Sequence, residues 1–321
     1  MRRNDLDYAR GLAMLLIIIG HANGISEIEL KIIYSFHVSL FFVISGMLLR
    51  YTNTAEKTWI HILNGWKKHI LIPAILWEAI LSAFYYVVKD ITFKQLILNT
   101  VTMNFNLSVL WFIPCLLIAE IIWILIIKAC KRGLPGYVIC IIASGFAIAA
   151  ELVNILFIRR ILIATVFIII GYVIEQMQAK KIDHYIHSTW TIFWGLCIIW
   201  GISMFLNIRV DLSAGLIGNV FLYYIHSIAG SMLVITICKW LPQKLQVLGW
   251  IGRNTMGCLV THVFIRHAII MFEEKLFGYF LDGWYLAIPM ILLDLIAVWI
   301  IGSYAPELIG QKRLRIGVEQ G

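Results

Sequence analysis

The fold this sequence predicts is all-α: a polytopic integral membrane protein of about ten transmembrane helices with both termini in the cytoplasm. Three observations predict it. First, 61% of the 321 residues are hydrophobic and only 14% are charged, against roughly 25% charged in ordinary soluble domains. Second, apolar runs recur along the whole length, giving a mean hydropathy of +0.88. Residues 1–321 therefore read as a single transmembrane domain rather than a soluble domain with an anchor. Third, Lys and Arg collect in the short turns between those runs. This explains the net charge of +8 as a topology signal, not as a basic face for nucleic acid.

At about 20 residues per crossing, the spans fall at 6–24, 31–50, 68–88, 108–128, 135–152, 159–177, 190–208, 216–239, 253–272 and 284–303. Seventeen basic residues lie in one alternate set of connecting segments, among them Arg2, Arg3, Arg50, Lys57, Lys128, Lys131, Arg132, Lys180, Lys181 and Lys312. Seven lie in the other set, including Lys31, Arg209 and the adjacent pair Arg159 and Arg160. The excess places both termini in the cytoplasm. The apolar run Leu12 to Ile19 has no small-x-small cleavage site after it and is expected to stay as the first span. Trp59, Trp66, Trp111, Trp190, Trp240, Trp250 and Trp284 stand near span ends, as interfacial anchors do.

The connecting segments are too short to fold into a catalytic domain, so any chemistry must come from the spans and their mouths. Six scattered cysteines, Cys115, Cys130, Cys140, Cys197, Cys238 and Cys258, form no CxxC pair. Neither a disulfide nor a zinc site is expected. Asp183, His184 and His187 have a loose metal-like spacing but lack a ligand set around them. No Walker loop, dinucleotide glycine fingerprint or GxSxG elbow occurs.

Charges and histidines inside apolar runs are costly in lipid, which makes them candidates for function. Arg10 and His21 share the first span. Eleven residues turn a helix by about 1100°, three turns plus about 20°, so both side chains point to one face about 16 Å apart along the axis. A long, thin anionic ligand held at Arg10 would present its far end to His21. Interfacial snorkelling of Arg10 and an interhelical hydrogen bond at His21 are the structural alternatives. Gly20 and Gly24 flank His21 at a spacing that admits close approach of a neighbour.

His37 opens the second span at about the depth of His21, and two such histidines can divide duties as base and oxyanion or substrate donor. Glu78, Glu120, Arg266 and Asp294, with His262 near mid-span, should face a shared polar interior. One carboxylate would orient His21 through its second nitrogen; a structural ion pair such as Arg10 with Glu120 is the competing reading. Lys67, Lys68 and His69 stand at the cytoplasmic start of the third span, either as phosphate contacts or as topology anchors.

These stretches also carry a resemblance. The opening LDYARGLAMLLIIIGH resembles the start of acyltransferase family 3, the bacterial membrane O-acyltransferases, whose mark is an arginine, ten residues, then a histidine. FHVSLFFVISGMLL, ILIPAILW, LWFIPCLLIAE, DLSAGLIGNVFLYYIHSIAGS and LGWIGRNTMGCLVTHVFI are similar to its later blocks in order and spacing. The nearest type is the fucose acetylase kind. The resemblance implies a ten-helix fold and transfer of an acyl group, usually acetyl, from cytoplasmic acyl-CoA to a carbohydrate hydroxyl.

By that resemblance His21 is catalytic and Arg10 is the partner of the donor, with acetyl-CoA or another acyl-CoA as co-substrate and no metal. Many members carry Arg-x-x-Arg before the third-span proline. Here Lys67 stands near the first position and an apolar residue near the second, leaving Lys67, Lys68 and His69 as candidate donor contacts. The acceptor would meet outer residues around His37, Asn104, Asn106, Arg209, Asp211 and Arg266. The bacterial cell membrane is the expected location. The rival reading is a polytopic transporter or flippase for a sugar or lipid-linked glycan, without acyl transfer.

Overall fold

The computed structural model describes residues 3–88, 92, 94, 95, 97, 109–130, 134–179, 190–242, 244–278 and 281–311. Asn104, Asn106, Asp183, His184 and His187 lie outside them. The described elements are helices: α1 (Asn4–Gly20), α2 (Glu27–Tyr34), α3 (His37–Tyr51), α4 (Trp59–Trp66), α5 (Ile72–Val88), α6 (Phe112–Ala129), α7 (Gly136–Leu152), α8 (Leu156–Ala179), α9 (Trp190–Leu206), α10 (Val220–Trp240), α11 (Gln246–Arg253), α12 (Thr255–Phe277) and α13 (Gly283–Tyr304). A π turn, Lys67–Leu71, joins α4 to α5. Among the described residues the nearest thing to a strand is one antiparallel bridge between Asp211 and Leu216.

Each predicted span contains a helix. Among the described residues seven helical stretches are long and apolar enough to cross a membrane: Glu27–Tyr51, Trp59–Val87, Val109–Ala129, Leu156–Gln178, Val220–Trp240, Thr255–Lys275 and Gly283–Tyr304. Gly136–Leu152 and Trp190–Leu206 are shorter apolar helices, and α1 has 17 residues. The expected second span starts early, because Ser26 caps α2 in a capping box with Glu29, fixing the turn after α1.

α1 is the post of the assembly. It packs against α3, α10, α11, α12 and α13, and Leu6, Ala9, Ala13, Met14 and Ile18 are sealed in those contacts. This is why one helix can carry Asp5, Asp7 and Arg10: its polar groups meet protein, not lipid. Ile75, Leu152, Phe221 and Trp299 on other helices instead face outward.

Small residues set the tightest crossings. Where α3 meets α8, a Cβ on Gly46 would stand 2.0 Å from the Ile168 carbonyl oxygen, and one on Gly171 would stand 2.0 Å from that of Val43. The backbones touch there, as small residues permit in membrane helices. α11 seats on α1 the same way: a Cβ on Gly252 would lie 1.7 Å from the Asp7 carbonyl oxygen, and one on Gly11 2.3 Å from that of Leu248.

Candidate active site

A cavity of about 690 Å³ runs beside α1 and α3, within the usual range of small-molecule sites. Arg10, Met14, Ile17 and His21 line it from one face of α1, as the helical arithmetic requires. His37, Ser39, Phe41 and Ser45 line it from α3, Glu120 from α6, and His262, Arg266 and His267 from α12. The Arg10 end also includes Thr52, Thr54, His69, Arg253 and Gln311. The His21 end includes Tyr34, Asp211 and Ser213. The cavity therefore extends for at least the roughly 16 Å between the Arg10 and His21 positions.

His21 is the C-cap of α1. Its Nδ1 lies 2.8 Å from the Ile17 carbonyl oxygen. A carbonyl only accepts, so Nδ1 carries the proton and the neutral ring keeps its lone pair on Nε2. The expected carboxylate partner for the second nitrogen is thus replaced by backbone: at the helix end the ring folds over its own last turn. The His262 ring meets that of His21 edge-on at 5.0 Å between centroids. His262 is 0% exposed, its Nδ1 donates to the Cys258 carbonyl at 2.8 Å, and its Nε2 is buried without a hydrogen-bond partner.

His37 is held alike, with Nδ1 donating to the Ile33 carbonyl at 2.8 Å and the Tyr34 ring against it at 4.8 Å. This alters its expected role as an oxyanion donor. A neutral ring whose single N–H is spent on Ile33 offers Nε2 only as an acceptor. Gly20 leaves room for Tyr34, whose ring would lie 3.1 Å from an added Cβ.

At the other end Arg10 donates to Asp7 at 2.6 Å, not to Glu120. Its Nε is buried with no hydrogen-bond partner. Glu120 instead accepts a close hydrogen bond from Ser45. His69 donates Nδ1–H to the Gly310 carbonyl at 2.5 Å, and both residues line the cavity. Lys67 and Lys68, exposed like His69, do not line it. Successive residues of a helical turn point in different directions, and the turn aims His69 and Ile70 inward.

Glu78 and Asp294 do not line the cavity either. Asp294 is 0% exposed and accepts from Thr261 at 2.5 Å. It braces the α12 turn that carries His262. Arg266 donates to Asn23 at 2.6 Å, two residues past His21. Among the described residues no group of three or more His, Cys, Asp or Glu side chains could hold a metal ion. All six cysteines are free thiols.

The His21 end is covered by the segment between α9 and α10, and Arg160 holds it there. Arg160 is 1% exposed. It donates to the Leu212 carbonyl at 3.1 Å and closely to that of Ser213, and its guanidinium lies 4.8 Å over the Trp111 ring. Read from sequence as an outer-loop charge, it is a buried clamp. Trp111, expected in the interfacial belt, is part of the cavity wall.

Asn207 ties both ends of the same segment. Its Nδ2 donates to the Ile217 carbonyl at 3.1 Å, and its Oδ1 accepts from the Asn219 amide at 2.9 Å. Asn207 and Arg160, which hold this segment, and the lining residues Tyr34, Ser39, Tyr223 and Arg253 are among those that sequence reasoning did not assign to the site. For Arg253 a signal existed: it closes a helix between Gly249, Gly252 and Asn254, beside a histidine-bearing span. Arg209, an expected acceptor contact, forms an exposed ion pair with Glu27 at 2.9 Å, while Asp211 lines the cavity.

Neither the curated proteins nor the solved structures yielded a match. The model of acyltransferase family 3, described as an acyltransferase domain, matches residues 3–303. With several apolar helices suited to the bilayer and nearly its whole length matched, the chain belongs to acyltransferase family 3, a family of membrane acyltransferases.

Proposed function

We propose that this protein moves an acyl group, most simply acetyl, from cytoplasmic acyl-CoA to a hydroxyl of a cell-surface or lipid-linked carbohydrate. The observation that carries this is the shared cavity: Arg10 and His21 line one wall about three helical turns apart. The pantetheine arm of an acyl-CoA is long and thin, with phosphates at one end and the thioester at the other. Its phosphates suit the Arg10 end, and its thioester then lies by His21.

His21 acts as the general base. Its Nε2 takes the proton of the acceptor hydroxyl as that oxygen bonds to the thioester carbon. The carbon–sulfur bond breaks, and the leaving thiolate takes the proton back from His21. Arg266 supplies positive charge for the oxyanion that forms in between. His37, accepting through Nε2, orients an acceptor hydroxyl.

The same reading places the protein in the bacterial cell membrane with ten crossings and both termini cytoplasmic. The 17-residue helices α1, α7 and α9 are about 26 Å long, close to the roughly 30 Å hydrocarbon core. The test is CoA release by purified protein in nanodiscs, given acetyl-CoA with and without a candidate glycan. Release that requires the glycan, with acetyl found on it, is expected. Sugar binding without any CoA release would identify a transporter or flippase instead.

A further inference from the structure

We infer that Arg253 forms, with Arg10, the subsite that grips the phosphates of the acyl donor: Arg253 is exposed, as Lys67 and Lys68 are, but it lines the cavity and they do not. This rests on the acyl-CoA reading above and deepens it.

Four observations support the assignment. Arg253 lines the same cavity as Arg10, at the same end. Its guanidinium has no hydrogen-bond or ion-pair partner among the described residues, whereas Arg10 is paired with Asp7. The position is also built. α11 lies backbone to backbone on α1 through Gly252 and Gly11, which brings its last residue beside the first turns of α1. A Cβ on Gly249 would stand 3.1 Å from an Arg253 guanidinium nitrogen and 3.0 Å from the Tyr8 ring, so the glycine leaves space for the guanidinium to lie back toward α1.

The fourth observation is the break that follows. Asn254 is buried. It donates to the Trp250 carbonyl at 2.8 Å and accepts a close hydrogen bond from Gln311. The chain therefore turns from α11 to α12 at a fixed point, and Arg253 is presented from it. Lys67 and Lys68 are outside the cavity, so its lining arginines at this end are Arg10 and Arg253. Asp7 pairs with Arg10 and Glu120, also in the cavity wall, accepts from Ser45, so Arg253 adds a positive charge that no carboxylate is paired with. An arginine fork matches phosphate oxygens in pairs, which a lysine does not.

The test compares acetyl-CoA with S-acetylpantetheine, which has the same thioester and arm but no phosphate. With acetyl-CoA, Arg253→Ala should raise KM about tenfold or more, the scale of lost charge-assisted hydrogen bonds, with kcat within about threefold. With S-acetylpantetheine, Arg253→Ala and the unaltered protein should be equally efficient. Arg253→Lys should recover part of the acetyl-CoA affinity, and Arg253→Gln serves if the alanine variant elutes as aggregate.

An unchanged KM for acetyl-CoA, or an equal loss with both donors, would overturn the assignment while leaving the acyltransferase reading intact. An unaltered protein that neither binds nor consumes acetyl-CoA would overturn both.

Discussion

His21→Gln is the most direct perturbation of the proposed chemistry. The substitution keeps a polar side chain at the end of α1 but removes the basic nitrogen. Nδ1–H is fixed on the Ile17 carbonyl, so the neutral ring has one basic atom, Nε2, and the side chain lines the cavity. A positioned general base contributes about 10²–10⁴-fold, equal to roughly 2.7–5.4 kcal/mol at 1.36 kcal/mol per decade. The expected result is a fall in kcat of that size, with KM for acetyl-CoA within about threefold, because the Arg10 end is untouched. The assay is thiol release from acetyl-CoA in nanodiscs with a working acceptor, alongside a thermal unfolding trace to show that the variant is folded. A folded H21Q protein with kcat within threefold of the parent would refute the assignment of His21 as base.

Other variants separate the parts of the site. His262→Gln removes the partner-free buried acceptor beside His21. We expect kcat to fall about tenfold with both KM values unchanged; a shift in KM alone would mean that His262 shapes the binding site instead. Arg160→Ala frees the Leu212 and Ser213 carbonyls, so KM for the acceptor should rise several-fold while KM for acetyl-CoA stays constant; equal loss for both substrates would argue against a local clamp. Gly46→Val drives a side chain into the Ile168 carbonyl and should destabilise by about 1–3 kcal/mol or more, read as a lower midpoint in detergent. Gly145→Ala, with nothing within 4 Å of the added Cβ, is the control and should not lower it.

Much of the fold was legible because apolar runs and their basic turns are one-dimensional signals. The Arg10–His21 relation was equally legible, since a helix converts sequence separation into direction. What crosses between helices was not. Lys67, Lys68 and His69 are consecutive and all exposed, and only the turn geometry decides that His69 lines the cavity while the lysines do not. Arg160 read as a topology charge because nothing in its own span announces the segment 210–213 that it clamps. The orienting partner of His21 was sought among the carboxylates, yet the nearest acceptor is four residues back in its own helix. Glu78, Glu120, Arg266 and Asp294 were expected to face one polar interior, yet only Glu120 and Arg266 of the four line the cavity; the partners of Glu120 and Asp294, Ser45 and Thr261, are hydroxyls with no distinctive pattern.

The tautomer of His21 does not by itself select it as the base. His37, His262 and His267 also give Nδ1–H to the carbonyl four residues earlier. On a membrane helix this contact satisfies the ring's donor within its own segment, so it follows from helix geometry and says nothing about catalysis. Access separates the four. His262 is 0% exposed and His37 is nearly as sealed at 5%, while His21 is half-buried at the point where α1 stops and its ring is free of a following turn. His267 also reaches the cavity but is stacked edge-on between Phe84 and Tyr85. In the proposed reaction the base must meet an acceptor that enters from outside and a thioester that arrives along α1. Of the four rings, His21 alone shares a helix face with Arg10, so it alone stands at a fixed distance from a cation that can hold the donor's other end.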